Sequence, residues 1–227
     1  MGVFLRKLKH HLLPRKEFKL KSKSFNLKWL GSRNGGFYFD TKRIQTDDIV
    51  LSFGVGTDIT FDLQLIDEVK CKVYGFDPTP KSINWISKQD IPDDYVFCAY
   101  GISKESGDIS FFLPKNEDHV SGSLIGLDFV DSVTPVNVPV RCMNDIIKKI
   151  DPIKVVAVKM DIEGTEYDVM NDVLSSLPNL NQIAVEIHER FVEDGVSKTK
   201  EMIAKLEVYG FKLAAISESL EELTFLK

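Results

Sequence analysis

The sequence predicts an α/β fold built on a doubly wound, mostly parallel sheet. Three observations carry that prediction. Short apolar runs alternate with helix-like intervals along the chain, which is the order produced by crossover connections between parallel strands. The first two runs end in a glycine pair and an aspartate, in "IVLSFGVGTDI" and "VYGFDPTP", and such sheets bind ligands outside the carboxyl ends of their strands. With 227 residues, 43% of them apolar, the chain is long enough for one core of that kind.

The elements follow in order. Residues 1–28 carry nine Lys or Arg against one acid, Glu17, although the net charge is −5. This basic arm, taken to residue 34, is expected to be a solvated extension. Its leucines and Phe4 also suit peripheral contact with an anionic membrane surface, and its charge suits nucleic acid. No run reaches the length of a membrane span or of a signal-peptide core, so a cytoplasmic protein is expected, membrane-associated at most through the arm.

Residues 35–227 form the predicted domain. Strands are expected at Ile49 to Phe53, Lys72 to Phe76, Tyr95 to Tyr100, Val155 to Met160 and Gln182 to Ile187. Helices are expected at Ile59 to Val69, Lys81 to Lys88, Glu166 to Leu177 and Ser197 to Tyr209. Residues 107–140 interrupt the alternation and read as an edge hairpin whose flexible middle, "KNEDHVSGSLIG", would form a substrate lid. The tail reads as an antiparallel pair closing one edge of the sheet. Cys71, Cys98 and Cys142 show no paired framework, and the four histidines show no ligand spacing, so neither a disulfide nor a metal is expected.

Gly54 and Gly56 free the backbone to turn sharply and approach a ligand. Asp77 follows them by roughly 20 residues, the spacing at which a carboxylate meets ribose hydroxyls. A nucleoside-bearing cofactor is the natural occupant. The third glycine of a dinucleotide fingerprint is missing, and Asp58 would repel a pyrophosphate but attract the ammonium and sulfonium of S-adenosylmethionine. In "VVAVKMDIEGTEYDVM", Asp161 and Glu163 fall at a central strand end, placed to hold the sulfonium end, orient a hydroxyl or take its proton; Glu166 suits helix capping. In "AVEIHE", Glu186 and His188 share one strand face, and His188 is a candidate general base for an alcohol.

"VKMDIEGTEYDVM" resembles the D-x-E-G-x-E signature of the FkbM-type S-adenosylmethionine-dependent methyltransferases. "LSFGVGTDITFD", "VYGFDPTP" and "RNGGFYFD" resemble a branch of methyltransferase-like proteins with an F-D-P-T-P second motif, and together they cover the chain from about Gly35 onward. The resemblance implies a class I methyltransferase, Rossmann-like fold, with S-adenosyl-L-methionine held by Gly54, Gly56 and Asp77 and the Ala99 to Gly101 turn, with Tyr100, near the adenine. It also implies that Asp161 and Glu163 lie at the methyl-transfer centre and Glu186 and His188 on the substrate side. The usual acidic residue ending the first strand is replaced around Ser52 and Phe53, which leaves Asp58 to meet the ammonium.

O-methylation of a hydroxyl on a sugar, glycan or secondary metabolite is therefore the expected reaction, with a small-molecule or glycan acceptor. The alternative is a noncatalytic binding module on a methyltransferase fold. Nucleic acid ranks below an oxygen acceptor because no asparagine-proline-proline-aromatic signature is present.

Overall fold

The computed structural model describes residues 26–114 and 130–227, the side chains of 111–135 excepted. The basic arm through residue 25, the membrane contact expected of it, and the lid expected in the middle of the insert lie outside the described residues.

The elements are β1 (Lys28–Leu30), β2 (Phe37–Phe39), β3 (Ile49–Phe53), α1 (Thr60–Val69), β4 (Lys72–Phe76), α2 (Pro80–Ile86), β5 (Tyr95–Cys98), β6 (Gly101–Ile102), β7 (Gly107–Pro114), β8 (Val130–Arg141), α3 (Met143–Ile146), β9 (Val155–Met160), α4 (Glu166–Ser176), β10 (Gln182–Glu186), α5 (Gly195–Val208), β11 (Lys212–Ile216) and β12 (Glu222–Leu226). Local chemistry sets their ends. Lys70 takes a left-handed conformation and closes α1 with an N–H donated to Ile66, and Thr79 caps α2 ahead of a first-turn proline.

Seven strands form the main sheet in the order β11-β12-β10-β9-β3-β4-β5. The pairs from β10 through β5 are parallel, whereas β12 runs antiparallel to both β10 and β11. The antiparallel pair closes one edge, as its sequence suggests, with β11 outermost and β12 one place in. Chain order reverses between β3 and β9, so the crevice outside their carboxyl ends is the site this topology opens.

Strand alternation divides the core between the two faces. Leu51 and Phe53 pack with Val169, Val173 and Leu206 under α4 and α5. Val50 packs on the other face with Phe61 and Leu65 of α1 and with Phe37 and Phe39. β1 lies in the span read as arm, yet it pairs with β2 and buries Leu30 to 4% exposure, so the folded domain starts several residues earlier than composition suggests. The lysine-rich context hid a three-residue strand. Residues 107–114 and 130–141 form a hairpin that joins β6 in a second, three-stranded sheet.

Candidate active site

The loop after β3 is the first part of the site. Gly54 has φ +84°, and a Cβ there would lie 1.7 Å from the Asp161 carbonyl oxygen, so only glycine lets this loop cross the loop after β9. Two backbone bonds fix the crossing: Gly54 N–H donates to Phe76 O at 2.9 Å and Asp161 N–H to Phe53 O at 2.9 Å. Lys159, only 6% exposed, donates from Nζ to Gly54 O.

Asp77 holds the same loop from the β4 side. Its Oδ2 accepts from Val55 N at 3.1 Å and Gly56 N at 2.8 Å, and its Oδ1 accepts from Thr79 N at 2.9 Å and Thr79 Oγ1 at 2.6 Å. These four bonds occupy a carboxylate's acceptor sites. Asp77 thus shapes the glycine turn directly, a task the ribose reading did not foresee. Asp58 accepts from Thr60 N at 2.8 Å and Thr60 Oγ1 at 2.6 Å, just ahead of α1. Burial raises its pKa, but hydrogen bonds from Ser32 and Thr60 outweigh that and leave the carboxyl below its ordinary range.

These loops border a cavity of about 400 Å³, in the size range of small-ligand sites. Ile102, Ile109, Val138 and Val140 make an apolar wall, and Asn34, Asp58, Lys159, Asp161 and Glu163 supply polar groups. The wall comes from the three-stranded sheet, so the hairpin read as an edge feature lines the site. Tyr100 does not line the cavity; it turns toward Phe76, with ring centroids 5.5 Å apart, and its neighbours Gly101 and Ile102 border the cavity instead. A two-residue strand reverses the facing at this point.

Beyond Asp161 and Glu163 stands a second group of side chains. His188 is 1% exposed. Its Nδ1 pairs with Oε1 of Glu166 at 3.1 Å, while Nε2 faces Glu163 at 3.4 Å, Glu186 at 3.6 Å and Asp161 at 3.7 Å. Glu166 is fully buried and also accepts from Gly164 N and His188 N. Glu163 reaches the group through a positive φ of 54°, a conformation that costs a non-glycine residue about 1–2 kcal/mol.

Burial lowers the His188 pKa, but the Glu166 hydrogen bond and the surrounding carboxylates outweigh it and push it up to about 10. Burial and then Asp161 push Glu186 up to about 9, against His188. Neither His188 nor Glu186, read from sequence as substrate-side groups, borders the cavity. Asp161 and Glu163 do, and they are the groups placed to meet an acceptor. Asp161, Glu186 and His188 also bring one ligand atom each within 4.8 Å of one another, a grouping invisible in the sequence because it joins two separate loops.

A sheet of this order with a cavity at its reversal point is the class I methyltransferase fold. The family model for the methyltransferase FkbM domain matches residues 36–213, and the chain belongs to that family. Membership implies S-adenosylmethionine as methyl donor, and the cavity lined by Gly54, Gly56, Asp58 and Asp77 suits it. The chain is 25% identical over 148 residues to the hexuronic acid methyltransferase AglP of Haloferax volcanii. That match covers 63% of this chain and 57% of AglP, so the chain spans little more than half of that relative. Among solved structures, the Methanococcus jannaschii fibrillarin pre-rRNA processing protein aligns with TM-score 0.48 and 12% identity over 91% of this chain and 84% of that one. A precorrin-6y C5,15-methyltransferase from Geobacter metallireducens aligns with TM-score 0.46 and 10% identity over 82% and 83%.

Proposed function

We propose that this protein is an S-adenosylmethionine-dependent O-methyltransferase acting on a hydroxyl of a sugar, glycan or secondary metabolite. The observation that carries the reading is the meeting of Gly54 and Asp161 at one backbone contact, because it sets a cofactor loop against a carboxylate pair that borders the same cavity. AglP, a methyltransferase of hexuronic acids, favours a sugar acceptor.

Gly54, Gly56 and the Asp77-held turn would receive the cofactor, Asp58 its ammonium, and the wall of Ile102, Ile109 and Val140 its adenine. Bound there, the cofactor supplies a methyl group activated by a sulfonium. Asp161 and Glu163 would orient the acceptor hydroxyl, and one of them would accept its proton.

The test has two stages. S-adenosylhomocysteine titrated calorimetrically into the protein should bind, NAD should not, and Asp77→Asn should weaken binding at least tenfold. Labelled methyl transfer is then followed on a panel of hexuronic acids and neutral sugars, with mild alkali separating methyl esters, which it cleaves, from methyl ethers. Alkali-stable product supports the reading, alkali-labile product sinks O-methylation of a hydroxyl, and homocysteine-adduct binding without any product favours the binding module.

A further inference from the structure

Four carboxylates and an imidazole converge at the carboxyl ends of β9 and β10. Asp161, Glu163 and Glu186 are only partly covered, with side-chain exposures of 29%, 18% and 15%, and His188 is 2% exposed at its side chain. Carboxylates packed this closely repel one another, and a positive charge among them relieves the repulsion.

The histidine itself points to what that is. Glu166, entirely buried, fixes the ring through Nδ1 and takes the His188 backbone N–H at 3.1 Å as well. Phe191 stacks against the ring with centroids 5.9 Å apart. The ring therefore has one orientation, with Nε2 aimed at the three carboxylates, each farther than an ordinary N–H···O bond. A carboxylate on the far ring nitrogen is the arrangement by which proteins hold a metal-ligating histidine in one tautomer. Ligand atoms of Asp161, Glu186 and His188 within 4.8 Å of one another could reach a single ion between them.

We propose that Asp161, Glu186 and Nε2 of His188 bind one divalent cation of the magnesium or manganese class. Such a cation takes about six ligands and the protein supplies three, so the remaining positions belong to water or to an acceptor. Asp161 also borders the cavity, which turns those open positions toward the cofactor site. An acceptor suited to them carries a second oxygen beside the reacting hydroxyl, as in a vicinal diol or a 2-hydroxy acid. The cation would lower the pKa of the bound hydroxyl, whose proton passes to Glu163 while the cofactor's methyl–sulfur bond breaks, the oxygen–methyl bond forms and S-adenosylhomocysteine leaves. This acceptor role rests on the methyltransferase reading; the binding of the ion does not.

The test uses the full chain, freed of metal by a chelator, and Mn²⁺ followed by electron paramagnetic resonance. One Mn²⁺ should bind per chain, with nitrogen modulation of its spin echo from the imidazole. Glu186→Gln and Asp161→Asn should each weaken binding at least tenfold, and His188→Gln should remove the nitrogen signal. Circular dichroism checks folding, and Glu186→Asp, which keeps the carboxylate on a shorter stem, gives the same comparison if Glu186→Gln unfolds. Binding unchanged in the variants, or no binding at millimolar Mn²⁺ by wild type, overturns the site. S-adenosylhomocysteine titrated into the same samples separates the two readings: adduct binding without Mn²⁺ binding sinks only the cation, and the converse sinks only the methyltransferase.

Discussion

Two single residues carry sharp consequences. At Gly54 a side chain would strike the Asp161 carbonyl at 1.7 Å and would also have to hold φ +84°. Gly54→Ala should therefore lose S-adenosylhomocysteine binding and cost at least the roughly 1–2 kcal/mol of the left-handed backbone, read by urea unfolding. Asp62 of α1 is 3% exposed, and its Oδ1 has no hydrogen-bond partner among the described residues. Burial pushes its pKa up to about 6, with Lys159 opposing. The folded protein thus binds this proton more tightly than the unfolded chain does. Stability from Asp62 should be present below about pH 4, fall as pH rises toward 6 and level off above. The fall is on the order of 3 kcal/mol, and Asp62→Asn should flatten it in urea titrations at several pH values.

At the level of elements, Glu166 joins the first turn of α4 to the end of β10 through Gly164 N, His188 N and the His188 ring. Removing a buried charged partner of this kind costs about 3–5 kcal/mol. Glu166→Ala should fall in that range by chemical denaturation, well beyond the effect of losing a surface helix cap. The helix-dipole role read from sequence was the weaker part of its job, because its contact with His188 spans 22 residues and leaves no periodic trace. The long strands were legible for the opposite reason. β3 and β9 are buried on both faces and so appear as unbroken apolar runs, and glycine and proline mark their ends. The loop carboxylates Asp58, Asp161 and Glu163 were legible from strand-end position alone. The burial of His188 and the outward-facing wall of Val138 and Val140 were not, since facing depends on which sheet a residue joins.

Across the whole molecule, the two faces of the sheet carry separate apolar clusters, but their strands are shared. Asp40 N–H donates to Gln182 Oε1 at 2.9 Å and Thr224 Oγ1 to Tyr38 O at 2.6 Å, tying the first hairpin to strands from the far end of the chain. One unfolding transition is expected. Leu65→Ala, at a fully buried position on the inner face of α1, should cost about 2–5 kcal/mol. It should shift tryptophan fluorescence, which reports on Trp29 and Trp85, by the same amount as far-ultraviolet circular dichroism; separated midpoints would show that the faces melt independently. The position of β12 has a further consequence for how the molecule is made. β11 touches the main sheet only through β12, so while the chain emerges from a ribosome β11 has no sheet edge to join until Glu222–Leu226 arrives. The order of synthesis and the order of assembly part company there: β11 reaches the main sheet only together with, or after, the strand made next.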